Sequence, residues 1–209
     1  MSGTASASGR HRRDSVDRRK EIIDAAAAIF CEKGYEATSI QDVAEAVDIL
    51  KGSLYYYVKS KEELLFEVIQ EVHQGGLANL QGGRRDGSAL DRIRSFVERH
   101  ITYNARNLVK MTVFLHDFRS LGPELRAEII EERDVYDRHL RTLIAAGQAE
   151  GSVRATIDPR LASFSILGSI NWTYQWYRPE GPNTIEEIAS EFADMAVNSV
   201  RSPGWTGKA

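Results

Sequence analysis

The chain has 209 residues, 42% of them hydrophobic, and its 27 Lys and Arg against 30 Asp and Glu leave a net charge of −3. No run of about 18 apolar residues occurs, which argues against a membrane span, and the polar, basic start MSGTASASGRHRRDS lacks the apolar stretch of a secretory signal, so a cytoplasmic protein is expected. A single cysteine, Cys31, rules out an internal disulfide, and no Cys/His cluster has zinc spacing.

In chain order, residues 1–14 are rich in Ser, Gly, Ala and Arg without periodicity, which predicts a disordered basic arm. Ile22, Ala25, Ala26, Ile29 and Phe30 then recur at helical spacing, and Gly34 stops that helix after Lys33. Either Thr38 with Gln41 or Ser39 with Asp42 offers a capping box for a second helix carrying Ile40, Val43, Ala44 and Val47. A short helix over Lys51–Val58 is anchored by Leu54, and a further box, Ser60 with Glu63, opens a helix bearing Leu64, Leu65, Val68, Ile69 and Val72. Two short helices packed on a longer first one follow the helix-turn-helix plan of a DNA reader, placed here at 15–61.

GGRRDGS, residues 82–88, is a polar break. Helical spacing resumes with Leu90, Ile93, Val97 and Ile101, then with Met111, Phe114, Leu115 and Phe118, before a Gly122-Pro123 turn. A long helix over Pro123–Gly147 follows; Asp158-Pro159 opens LASFSILGSINWTYQWY, and a Thr184/Glu187 box opens the last helix, with Ile185, Ile188, Phe192, Met195 and Val200. No segment alternates as a strand, so the class is all-α with about nine helices. Residues 202–209 are expected to be a disordered tail.

The segment KGSLYYYVKSKEEL carries three consecutive tyrosines. Gly52, Tyr55, Tyr56 and Lys59 share one helical face with Lys51 at its border, while Leu54 points elsewhere. Phenol hydroxyls suit phosphate oxygens, rings suit thymine methyls, and Lys51 suits guanine O6 and N7. Lys61, just past the Ser60 cap, is expected to meet a phosphate at the next helix's start. Tyr57, about a turn from Leu54, is open to packing inward as well as to reaching a phosphate.

The run IIDAAAAIFCEKGYEATSIQDVAEAV followed by KGSLYYYVKSKEEL makes residues 15–66 resemble the DNA-binding domain of the TetR family of bacterial regulators, whose pattern LYxxFxSKEEL it follows except for Val58. The resemblance implies a homodimer on a palindromic double-stranded operator, with residues 62–201 binding a small-molecule effector and forming the dimer. It also implies DNA contacts from Thr38, Ser39, Gln41, Lys51, Gly52, Ser53, Tyr55, Tyr56, Tyr57 and Lys61. The later stretch NWTYQWYRPEGP resembles regulators of fatty-acid, acyl-CoA and steroid catabolism, which implies an acyl or acyl-CoA-like ligand.

A helical pocket needs apolar walls and a few polar anchors. Phe96, Met111, Phe114, Leu115, Phe118, Ile129, Tyr136 and Trp172 are candidate walls, with His100, Tyr103, His116 and Asn171 as anchors, although ordinary core is the competing reading of each. No basic cluster accompanies Trp172; Arg106 and Arg178 are the nearest candidates for a CoA phosphate. The last two predicted helices are apolar on more than one face, which predicts the dimer contact. His116, Asp117 and His100 are not spaced as a catalytic dyad, and no nucleophile elbow or phosphate loop occurs, so neither an enzyme nor a cofactor or metal is expected. The expected function is a ligand-released repressor, with an activator or ligand-independent regulator of the same fold, or an inducer of another chemical class such as an aromatic, drug-like one, as the alternatives.

Overall fold

The computed structural model describes the backbone of residues 5–206 and the side chains of residues 16–206. All its regular elements are helical, and they divide between two compact units, residues 1–71 with 109–126, and residues 72–108 with 127–209.

In the first unit, α1 (Ala5–Lys33) buries Ile22, Ala26 and Phe30 against α2 (Ile40–Ala46), which contributes Val43 and Ala44. α1 begins ten residues before Ser15, so the segment expected to be a disordered arm is helical from Ala5; its Ala and Arg residues are strong helix formers. The side chains of Arg10, Arg12 and Arg13 lie outside the described ones. Gly34 ends α1 at φ 84°, with its N–H on the Phe30 carbonyl at 2.9 Å. Of the two capping boxes open to α2, Ser39 with Asp42 forms, and the Ser39 hydroxyl and N–H, with Lys33, pull the Asp42 carboxyl down to about 2.

α3 (Lys51–Leu54) is a single helical turn, shorter than expected, although Tyr57 and Val58 still donate to the Leu54 carbonyl at 2.9 and 3.1 Å. Leu54 and Val58 are buried, holding the segment to the unit. α4 (Lys61–Gln81) opens with Glu63 N–H on the Ser60 hydroxyl at 3.0 Å. α6 (Leu108–Asp117), a short 3-10 turn at Phe118–Ser120 and the start of α7 (Pro123–Glu150) complete this unit. Lys110 of α6 bonds Asp24 of α1 at 2.6 Å and Glu71 of α4 at 2.7 Å, which explains why this distant segment belongs with the head.

Asp48, between α2 and α3, sits at φ 53°, a left-handed conformation that costs an L-residue roughly 1–2 kcal/mol and suits Asp better than a branched residue. Asp48→Val should therefore lower unfolding stability by about 1–2 kcal/mol, and Asp48→Gly should leave it unchanged or raise it. Urea unfolding midpoints of the two variants check this; equal midpoints would show that the turn carries no strain.

In the second unit, α5 (Ala89–Arg106) and α10 (Ile185–Val200) form the centre. Ile93, Val97 and Ile101 of α5 pack with Ala189, Ala193 and Val197 of α10, whose small side chains bring the two axes close; Leu140 and Ile144 of α7 and Ile166 and Ile170 of α8 (Pro159–Asn171) close the core. The expected caps form: Asp158 accepts from the Arg160 and Leu161 N–H groups, and Thr184 and Glu187 make a reciprocal box. The segment LASFSILGSINWTYQWY is not one helix; it breaks at Trp172 into α8 and the single turn α9 (Thr173–Trp176). Beyond α10, Ser202 N–H bonds the Ser152 carbonyl at 2.8 Å and Trp205 packs on the core, so residues 202–206 are held rather than forming the expected tail. Residues 207–209 lie outside the described ones. Among the described residues no helix is long and apolar enough to cross a membrane.

Candidate functional site

The tyrosine segment of the first unit presents an exposed, mixed polar and aromatic face. Tyr56 is 86% and Tyr55 48% exposed, with Lys51, Gly52, Ser53 and Lys59 also exposed beside them. Such rings are left in water only at a cost in apolar exposure, which a nucleic-acid partner would remove. Tyr57 is half-buried, sets its ring edge-on to Tyr56 at 5.6 Å, and accepts Arg19 Nη1 at its carbonyl at 2.8 Å. Arg19 also pairs with Glu67, and Arg18 donates to the Val47 carbonyl at 2.5 Å, so both arginines tie helices together.

The remaining contacts implied for DNA fall into two groups. Ser39 and Gln41 are exposed at the start of α2, and Gln41 donates to Glu45, one turn on, at 2.8 Å. Thr38 is buried at 2% exposure with its hydroxyl on the Gly34 carbonyl at 2.8 Å, so it closes the α1–α2 loop. Lys61 Nζ donates to the carbonyls of Tyr35 at 3.0 Å, Thr38 at 2.9 Å and Glu36 at 3.4 Å, and lies 4.2 Å over the Tyr35 ring. An ammonium has three protons, and without DNA they are directed at these three carbonyls, which ties the start of α4 to the α1–α2 loop.

The second unit contains an open cavity of about 500 Å³. Leu77 and Leu80 of α4, Phe96 of α5 and Val135 and Leu143 of α7 give it an apolar wall, with His100 and His139 among them. Four arginines, Arg84, Arg85, Arg92 and Arg99, line the same space. Arg99 is steadied on Asn79, 3.0 Å from its Oδ1, and Arg84 on Asp86 at 3.1 Å, while the buried Nε of Arg92 has no hydrogen-bond partner.

His100 Nε2 lies 2.8 Å from Asn171 Oδ1, and burial pushes the imidazole pKa down. Phe96 stacks on this ring at 5.8 Å and Tyr136 meets it edge-on at 5.5 Å. The fold thus gathers Phe96, His100, Tyr136 and Asn171 at one place. Tyr103 donates instead to the Val72 carbonyl of α4 at 2.7 Å, an approach that Gly75 permits, since a Cβ there would collide with the Tyr103 hydroxyl. The other candidates part from this group. Met111, Phe114, Leu115 and Phe118 belong to the first unit, and Trp172 is 60% exposed. The four arginines escaped the sequence reading, although the pair Arg84-Arg85 inside GGRRDGS is a visible signal in retrospect; Arg106 and Arg178 do not line the cavity.

A third feature is apolar surface left in water on α8, α9 and α10. Leu161, Phe164 and Trp172 fall on one stripe, joined by Trp176 and Met195, and the Arg141 and Arg160 guanidiniums lie over the Phe164 ring at 5.4 and 5.3 Å. Trp176 stacks on Phe192 at 5.9 Å.

Comparison with known proteins matches two successive stretches of the chain. Residues 22–68 match the model of bacterial regulatory proteins of the tetR family, and residues 86–200 match that of the tetracyclin repressor-like C-terminal domain. The chain is 33% identical to the HTH-type transcriptional repressor KstR2 of Rhodococcus jostii, over 89% of this chain and 92% of that protein. Among solved structures it resembles the TetR family regulator PfmR of Thermus thermophilus, with 35% identity, a TM-score of 0.79 and coverage of 85% and 97%. It also resembles AibR, solved in complex with isovaleryl coenzyme A and operator DNA, with 28% identity, a TM-score of 0.76 and coverage of 88% and 98%. The exposed reading face of the first unit, the cavity of the second and these matches over both show that the chain belongs to the TetR family of DNA-binding transcriptional regulators.

Proposed function

We propose that the protein is a cytoplasmic, homodimeric repressor that binds a palindromic operator and is released by an anionic ligand with an apolar body, of the acyl or acyl-CoA type. The observation that carries this reading is the cavity, which joins an apolar wall to four arginines within one unit. Apolar lining suits an acyl chain, and guanidinium groups suit phosphates or a carboxylate. The cations that a CoA ligand requires come from Arg84, Arg85, Arg92 and Arg99, not from the neighbourhood of Trp172. AibR, a relative in fold, was solved with a CoA thioester and with operator DNA, which supports the same pairing of partners here. The stripe from Leu161 to Trp172, with Met195, is the surface a second copy would cover, and a two-fold contact through α8 and α10 would remove it from water. In the reading face, Ser39, Gln41, Lys51, Gly52, Ser53, Tyr55, Tyr56 and Tyr57 meet the duplex. No catalytic role is assigned to any residue.

The test begins with an operator selected from random duplexes by the purified protein. Lys51→Ala with Tyr56→Ala should weaken binding to it about a hundredfold at fixed salt, from the loss of two contacts each of order tenfold, with an unchanged melting temperature because both side chains are exposed. Full affinity in that variant would place the reading face elsewhere. Isovaleryl-CoA and dodecanoyl-CoA should weaken the wild-type complex and raise the melting temperature of the free protein. If neither does so, the acyl-CoA reading is wrong.

A further inference from the structure

The surroundings of His100 fix which of its nitrogens carries the proton. Asn171 Oδ1 takes the Asn104 Nδ2–H at 3.5 Å and faces His100 Nε2 at 2.8 Å. An amide oxygen only accepts, so Nε2 is the donor. Burial keeps the ring neutral by lowering its pKa, and a neutral ring with a proton on Nε2 has a bare lone pair on Nδ1. His100 itself lines the cavity, 8% exposed, with Phe96 stacked on it and the Tyr136 ring at its edge. The polar contact this ring offers to a guest is therefore an acceptor set in an apolar wall.

We propose that His100 Nδ1 selects an effector that carries a hydroxyl on its apolar body, in preference to a ketone or an unsubstituted chain at the same place. The inference rests on the effector reading of the cavity above. A hydroxyl donates to Nδ1 and satisfies it. A ketone sets a second lone pair against it, and a methylene desolvates it without a partner, so each is disfavoured by about tenfold or more. Asn171 is a positioning residue in this scheme, acting through the tautomer it holds, and Asn104 orients Asn171 in turn.

Two measurements on the full chain test the proposal. In the ligand-free protein at pH 7, long-range ¹⁵N–¹H correlation of the imidazoles should show His100 with Nε2 protonated and Nδ1 bare; the opposite tautomer overturns the proposal. Calorimetric titrations with dodecanoate and with positional series of hydroxydodecanoates and oxododecanoates provide the second. At least one hydroxy acid should bind about tenfold tighter than both dodecanoate and its oxo counterpart. Asn171→Leu and His100→Leu should bring that ratio to within about twofold while dodecanoate itself still binds, a change that general loosening of the site would not produce. Binding of dodecanoate by the wild type without preference for any hydroxy acid overturns the His100 assignment alone. Failure of all these acids and of dodecanoyl-CoA to bind overturns the effector reading and this inference together.

Discussion

Acidification from pH 7 to pH 4 should remove on the order of 3 kcal/mol from the stability of the second unit, and His73 should account for most of it. His73 is 6% exposed in α4, and burial, with Arg133 and His100 nearby, lowers its pKa from 6.5 to about 4. A shift of that size corresponds to about 3 kcal/mol favouring the neutral ring in the folded state. The sign follows from proton counting. Below pH 6.5 the unfolded chain takes up a proton that the folded chain refuses until about pH 4. The stabilisation is thus complete above pH 6.5, declines through the window between the two values, and has gone below pH 4. His100 and His139 are also lowered by burial and act in the same direction.

Glu132 opposes them. Its Oε2 stands 3.9 Å from His73 Nδ1, beyond hydrogen-bond reach, and burial raises its own pKa, so the folded state holds this proton more firmly than the unfolded chain. Its contribution is present at low pH and fades as pH rises, which offsets part of the histidine loss. His73→Leu preserves an apolar fill and removes the titration. Urea unfolding midpoints at pH 7 and pH 4.5 should therefore lie closer together in that variant than in the wild type, with His100 and His139 supplying the remainder, and an equal pH dependence in both would falsify the assignment to His73.

The same distinction between local and distant partners explains how much was legible in the sequence. Caps are written within four residues, so the Thr184/Glu187 box and the Asp158 cap with Pro159 could be read directly, as could the burial of Leu54 one turn into its helix. The α2 cap was left between two pairs because Thr38 and Ser39 offer the same chemistry. The structure separates them by the Gly34 carbonyl that claims the Thr38 hydroxyl. Nothing near Arg18 and Arg19 in the sequence names Val47 and Glu67, the partners that the fold brings to them. The cavity arginines come from the end of α4, the break after it and α5, so no window of sequence contains the site. Conversely, the aromatic run around Trp172 looked like a pocket wall by composition, yet the break between α8 and α9 turns Trp172 outward. Helical period names the apolar face of Met111, Phe114 and Phe118 but does not say which of two units that face will serve; Lys110, on the same helix, binds Asp24 and Glu71 of the head.

Replacing Lys61 with methionine should cost the first unit about 2–3 kcal/mol, the scale of hydrogen bonds to a charged group, while leaving the salt dependence of operator binding unchanged. Methionine keeps an unbranched apolar stem over the Tyr35 ring but strips the donors from the carbonyls of Tyr35, Glu36 and Thr38, which together form the loop that aims α2. Lys61→Arg should recover only part of the loss, because a planar guanidinium fork spreads its donors where three carbonyls converge on one point. Lys51 supplies the contrast. It is exposed on the reading face, so Lys51→Ala should leave stability near the wild-type value and reduce the slope of log affinity against log salt by about one. Thermal unfolding and fluorescence anisotropy over a range of salt concentrations separate the two roles. A Lys61→Met protein that melts normally but loses about one unit of salt slope would return that ammonium to the phosphate backbone, and the carbonyl clamp would then be a resting arrangement that DNA displaces.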